Sequence, residues 1–186
     1  MTATVAPKGK GLIRSLNRRG TRTEKVLPVA AKHPANDPTM CERCGAVFTR
    51  KTWRQGRKVD EALLARAAWA VCPACEQIQS GEYFGRVVIR GAYAAANRAA
   101  IRRRIANVAS RARFTQPERR VVSAEDDANV LEVLTTSQKL AHRITHELKK
   151  AFAGRASYKW SDRDGALYAT WQRDDVPVAE GTARRK

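Results

Sequence analysis

Acidic side chains are scarce in this chain of 186 residues, 18 against 36 lysines and arginines, for a formal charge of +18. That imbalance excludes little about fold, but it makes polyanions the partners its surface will concentrate. Long apolar runs are missing as well. None approaches the roughly 20 residues of a membrane span, and Val26 to Ala31 is interrupted by Pro28 and forms no secretory core. A soluble, cytoplasmic protein with no membrane partner is expected. Four cysteines are too few for a disulfide scaffold, and in a reducing compartment that number favours a metal site. The chain has no P-loop, dinucleotide fingerprint, nucleophile elbow or HExxH. It shows no catalytic constellation and no long repeat, so a non-enzymatic role is expected.

What the chain does have is two cysteine pairs, Cys41-x-x-Cys44 and Cys72-x-x-Cys75. Each CxxC puts two thiolates on one tight turn, and two such knuckles complete the tetrahedral set of a structural zinc site. Gly45 suits the positive φ that follows a knuckle. One structural zinc held by these four residues is the expected cofactor. The spacing between pairs exceeds the roughly 15–20 residues of a zinc ribbon, and an inserted helix across Asp60 to Val71 accounts for it. That helix carries Leu63, Ala67 and Val71 on one stripe, with Leu64 and Ala68 beside them, and ends near Pro73. The alternative is a thiol–disulfide oxidoreductase using Cys72 and Cys75. Against it, CPAC follows the expected helix and does not open one. His33, His142 and His146 are expected to be solvated and unliganded.

Charge and periodicity divide the chain into a disordered basic arm (1–40), a zinc-binding module (41–80), an α+β domain (81–173) and a flexible tail (174–186). The fold expected is a four-cysteine zinc-ribbon-like module followed by a ferredoxin-like β-α-β-β-α-β-β unit. In that unit GRVVIRGAY reads as a strand. A helix over 94–114 presents Ala94, Ile101, Ile105, Val108 and Ala112 on one stripe and ends at Pro117. A hairpin turns near Asp126 to Asn129, where Glu125, Asp126 and Asp127 are expected to be solvated. A second helix faces inward with Leu140, Ile144, Leu148, Ala151 and Phe152, opens on a Thr135/Gln138 capping box and stops at Gly154. A closing hairpin turns at Asp164-Gly165, and Tyr158, Trp160, Leu167, Tyr168 and Trp171 read as its core before they read as a stacking platform.

The basic residues are clustered. Residues 81–120 carry 10 basic and 2 acidic side chains, whereas 121–186 carry 11 and 10. Arg50, Lys51, Arg54, Arg57 and Lys58 surround Trp53 beside the first knuckle, a grouping suited to gripping phosphates and stacking an unpaired base. Arg98, Arg102, Arg103, Arg104, Arg111 and Arg113 follow on the first long helix, with Arg119 and Arg120 after it. Arginine forks match phosphate oxygens. These residues form the expected nucleic-acid surface, with RNA as the partner. A DNA-binding zinc-ribbon regulator is the alternative, although no helix-turn-helix or tandem-finger pattern is present.

The segment VLTTSQKLAHRITHELKKAFAGRASYKW…ALYATWQR carries a strand ending in Thr135-Thr136, a helix with a Leu140-Ala141 step, Gly154 and a closing hairpin. With the two knuckles before it, this layout resembles the nonsense-mediated-decay protein three family, the large-ribosomal-subunit export adaptors of archaea and eukaryotes. It is still more similar to short bacterial proteins of unassigned function with the same layout. This chain has two CxxC pairs where the adaptors carry more. The resemblance implies a zinc-bearing, RNA-facing protein associated with ribosomal particles.

Overall fold

The computed structural model describes residues 34, 36–56, 58–127 and 129–175, so the arm and tail expected from the sequence lie mostly outside the described residues. Among the described residues the architecture is α+β, with two sheets and five helices.

The smaller sheet holds β1 (Thr39–Cys41), β2 (Val47–Thr49), β3 (Thr52–Arg54) and β4 (Ala68–Ala70), in the order β3-β2-β1-β4. Thr39 and Met40, expected to belong to the arm, are buried in its first strand. Helix α1 spans only Glu61–Arg66, capped by Asp60, whose carboxylate accepts from the Leu63 amide at 2.8 Å. The expected continuation to Val71 does not occur. Ala67 is extended, and residues 68–70 pair with β1 in parallel. Leu63 still packs inward, on Met40 and Val47. Leu64 is exposed, because the helix ends before the rest of its stripe can form. Pro73 then opens helix α2 (Pro73–Ser80) and does not stop an earlier one.

The larger sheet contains β5 (Gly85–Arg90), β6 (Val121–Asp127), β7 (Val130–Thr135), β8 (Arg155–Trp160) and β9 (Leu167–Gln172), ordered β6-β7-β5-β9-β8. β7 lies antiparallel to β5, while β9 lies parallel to it. The expected first helix is broken at Asn97 into α3 (Ala92–Ala96) and α4 (Arg98–Thr115). Its stripe holds across the break: Ala94, Ile101, Ile105, Val108 and Ala112 are all buried.

Helix α5 (Gln138–Phe152) buries Leu140, Ile144 and Leu148 as its period predicts, with Ala141 and Thr145 alongside. Ala151 is exposed, and Phe152 packs only partly on the core. The N-cap of α5 is Ser137, whose hydroxyl accepts from the Leu140 amide, so the Thr135/Gln138 box does not form. The Thr135 hydroxyl donates instead to the Ser137 carbonyl at 2.9 Å, and the Gln138 amide donates to the Gly165 carbonyl. Val87, Ile89, Leu131, Val133, Leu167, Ala169 and Trp171 from the sheet join the α4 and α5 stripes in one core. Leu167 and Trp171 are therefore interior, as expected. Tyr158 and Trp160 are exposed instead, because β8 is the sheet edge.

Close packing of α5 on β5 depends on Gly85. A Cβ built there would lie 2.4 Å from the Ala141 Cβ and 2.5 Å from the Thr135 Oγ1. Gly85→Ala should therefore push α5 off the sheet and destabilise the domain by roughly 1–3 kcal/mol, the usual penalty for overpacking. Thermal unfolding of the variant against the parent checks this; an unchanged midpoint would mean that α5 yields without loss.

Candidate metal centre and basic surface

The parallel β1–β4 pairing sets Cys41 opposite Ala70, two residues before Cys72. Cys72 is the N-cap of α2 and Cys75 lies in its first turn. Gly45 adopts φ +67° with open space around its Cα, so it is required by conformation and not by room. The four sulfurs converge, all within 4.8 Å of one another, with Cys41–Cys75 at 3.8 Å and Cys44–Cys72 at 3.7 Å. Four sulfurs about 2.3 Å from a tetrahedral metal stand about 3.8 Å apart along each edge. The cluster is therefore positioned to coordinate one metal ion and is compatible with a structural zinc site. All four cysteines are free thiols at these separations, which far exceed the ~2.05 Å of a disulfide.

Burial opposes ionisation of Cys41, but the amides of Cys72, Cys44 and Arg43 outweigh it and bring its thiol down to about 7. The Cys72 amide donates to the Cys41 sulfur at 3.3 Å. Cys72 and Cys75 are pushed up by burial and by the charges of Cys41 and Cys44, while hydrogen bonding between Cys72 and Cys75 opposes the rise. A metal ion reverses the local balance for both, since a coordinating thiol gives up its proton. The sequence-based objection to a redox role is corrected on one point: CPAC does open a helix.

One partner of the cluster lies outside the module. Arg120 donates from Nη1 to the Cys75 sulfur at 3.2 Å. Its backbone is held on both sides by Thr136, whose hydroxyl accepts from the Arg120 amide at 2.8 Å and whose own amide donates to the Arg120 carbonyl at 2.9 Å. The sequence placed Arg120 among the phosphate-facing arginines. No spacing rule marks it as a neighbour of a cysteine 45 residues earlier.

The nominated basic residues separate into groups. Arg98 and Arg102 both bind Asp126, the former at 2.5 Å, and Arg104 binds Glu147 at 2.5 Å. Hydrogen bonding from Arg102, then the charge of Arg98, holds the Asp126 carboxyl below the usual carboxylate range. Asp126, expected to be merely solvated, is thus an anchor for α4. Arg103 and Arg111 are exposed and form no ion pair among the described residues, and Arg113 is half-buried.

In the β2–β3 hairpin, Arg50 and Lys51 form the two-residue turn with φ of +50° and +60°. Arg54 and Lys58 are exposed, and Arg57 lies outside the described residues. Trp53 does not stand free. It packs on Phe48 with ring centroids 5.4 Å apart and against the cysteine cluster. Trp69 on β4, 55% exposed, is an aromatic that the sequence reading absorbed into a helix.

No family model matches this chain, and no curated protein matches it in sequence.

The geometry predicts about one tightly bound metal ion per folded chain, measured by native mass spectrometry. Cys41→Ser or Cys75→Ser should abolish that binding and unfold the small sheet, because ligation supplies its folding energy. Metal-free folded protein with a reversible Cys72–Cys75 disulfide would contradict this. Arg120→Ala should leave the stoichiometry intact and weaken metal affinity roughly 10- to 100-fold in chelator competition, as loss of an outer-shell partner does.

Proposed function

We propose that the chain is a non-enzymatic, zinc-stabilised protein that binds structured RNA. A closed set of four thiolates leaves no open coordination position, so the metal holds structure and does no chemistry. Thiolate softness selects zinc over hard cations. The rival oxidoreductase needs an accessible, acidified thiol at the first cysteine of CPAC. Cys72 is buried and its ionisation is disfavoured.

The observation that carries the RNA reading is the junction of the two basic segments. A Cβ on Gly56 would stand 2.9 Å from Cε2 of Phe114, so the loop after β3 rests on the end of α4. The loop after the basic hairpin thereby meets the arginine-bearing helix, and the hairpin tip lies at the other end of β3. At that tip two cations, Arg50 and Lys51, occupy backbone conformations that L-residues adopt at a cost of roughly 1–3 kcal/mol each. Asn-Gly would satisfy the same turn without strain, which favours selection for what the two side chains touch.

Exposed Phe114 at the end of α4, and exposed Trp69 on β4 at the far edge of the small sheet, suit unpaired bases, which irregular RNA offers and duplex DNA does not. A ribosomal source for that RNA is what the resemblance to the export adaptors implies. We read the larger sheet in the same spirit as a ferredoxin-like split βαβ unit in which β9 is the additional strand, inserted between β5 and β8.

Binding should weaken steeply between about 50 and 200 mM salt, through counterion release, and should favour a structured RNA over duplex DNA of equal length. Arg103→Ala with Arg111→Ala should flatten the salt slope by about one unit per lost phosphate contact. Arg98→Ala with Arg102→Ala should lower thermal stability and leave the slope nearly unchanged, since those side chains hold Asp126. Fluorescence anisotropy across a salt series measures both pairs. Preference for duplex DNA, or an unaltered slope in the first pair, would install the DNA-binding regulator instead.

A further inference from the structure

Helix α5 and edge strand β8 carry a row of rings to which the surface described above assigns no task. His142 and His146 lie one turn apart on the exposed side of α5, their rings 6.4 Å apart and within 12° of parallel. The Tyr158 ring lies against His142, 4.8 Å between centroids and tilted by 30°. Trp160 follows two residues later and therefore on the same side of the strand.

That side is the helix-bearing one, because Tyr158 pairs with Ala169 and Trp160 with Leu167, both core residues. Ordinarily such rings would be interior. Here the sheet is five strands wide and β8 is its margin, so Tyr158 remains 37% and Trp160 56% exposed. The exposed side of α5 also carries Lys139, Arg143, Lys149 and Lys150, while its glutamate, Glu147, is taken up by Arg104. Flat rings in succession with cations beside them are the two elements of a sequence-tolerant single-strand site. The bases stack on the rings, and the phosphates lie near the cations.

From this arrangement we propose that His146, His142, Tyr158 and Trp160 form a stacking strip for unpaired bases of single-stranded RNA. The strip is separate in sequence from the zinc loop and α4, and it rests on the RNA reading above in extending that RNA's contacts to a second, aromatic site. The charge favours this occupant over an apolar protein strand added at β8, which would meet the four cations of α5.

The test uses the full chain, an unstructured 12-residue oligouridylate and a salt series, read by anisotropy. Trp160→Ala should weaken binding about tenfold, as loss of one base stack does, with the salt slope unchanged because no phosphate contact is lost. Trp160→Phe, which keeps a ring, should recover most of the affinity. Arg111→Ala should lower the slope in the same assay. Trp160→Ala with unchanged affinity, while Arg111→Ala still acts, would overturn the strip alone. No binding of the parent chain to any RNA would overturn the strip and the RNA reading together. Sedimentation showing a dimer that Trp160→Ala dissociates would instead make β8 an interface between copies.

Discussion

Four sulfurs gathered within 4.8 Å of one another impose the condition that the rest of the small module must meet. At such separations each pair of thiolates repels by about 4 kcal/mol even with the screening typical of a protein surface, so the ionised set cannot persist without a cation at its centre. Four three-residue strands, a six-residue helix and a small apolar cluster around Leu63 cannot hold that charge together unaided. Metal ligation would close the gap, and the parallel β1–β4 ladder brings the two knuckles face to face.

Arg120 extends the same constraint into the larger domain. A tetrathiolate around a divalent cation keeps a net charge of about −2, and a guanidinium on one sulfur offsets part of it. Because Arg120 stands just before β6 and is clamped by Thr136 after β7, the metal centre is tied to the sheet that carries α4. The contact of Phe114 with Gly56 is a second tie, between the end of α4 and the basic loop. Together they join the four-cysteine module to the domain that carries the arginine helix.

Within the helix the arginines divide their labour by position. Those nearest the β6–β7 hairpin close on Asp126, and Arg104 closes on Glu147, so their charge stabilises the fold. Solvent screens pairs this exposed, and Arg103 and Arg111 remain as the helix's outward charge. The sheet margin shows a related asymmetry: the two long helices share one core with the central strands, and the aromatic residues of β8 lie beyond it.

Local chemistry was legible wherever the cause was local. The cysteine spacing announced the knuckles, Gly45 its turn, and the 3.6-residue period of Ile101, Ile105, Val108 and Ala112, or of Leu140, Ile144 and Leu148, its buried stripe. Other outcomes needed partners distant in the chain. Residues 68–70 have the composition of a helix and become a strand because β1 offers them a ladder. Asp126 has the look of a solvated turn residue until α4 crosses it. Tyr158 and Trp160 alternate as core residues do, yet are exposed because β9, which comes later, takes the place beside β5. The amino-acid order by itself therefore determined which cysteines form the two knuckles and most of the inward faces of the two long helices, since both follow from short-range geometry. Tertiary structure alone decided which arginines remain outward, which rings remain exposed and where Arg120 points, because each depends on which surfaces meet when the sheet closes.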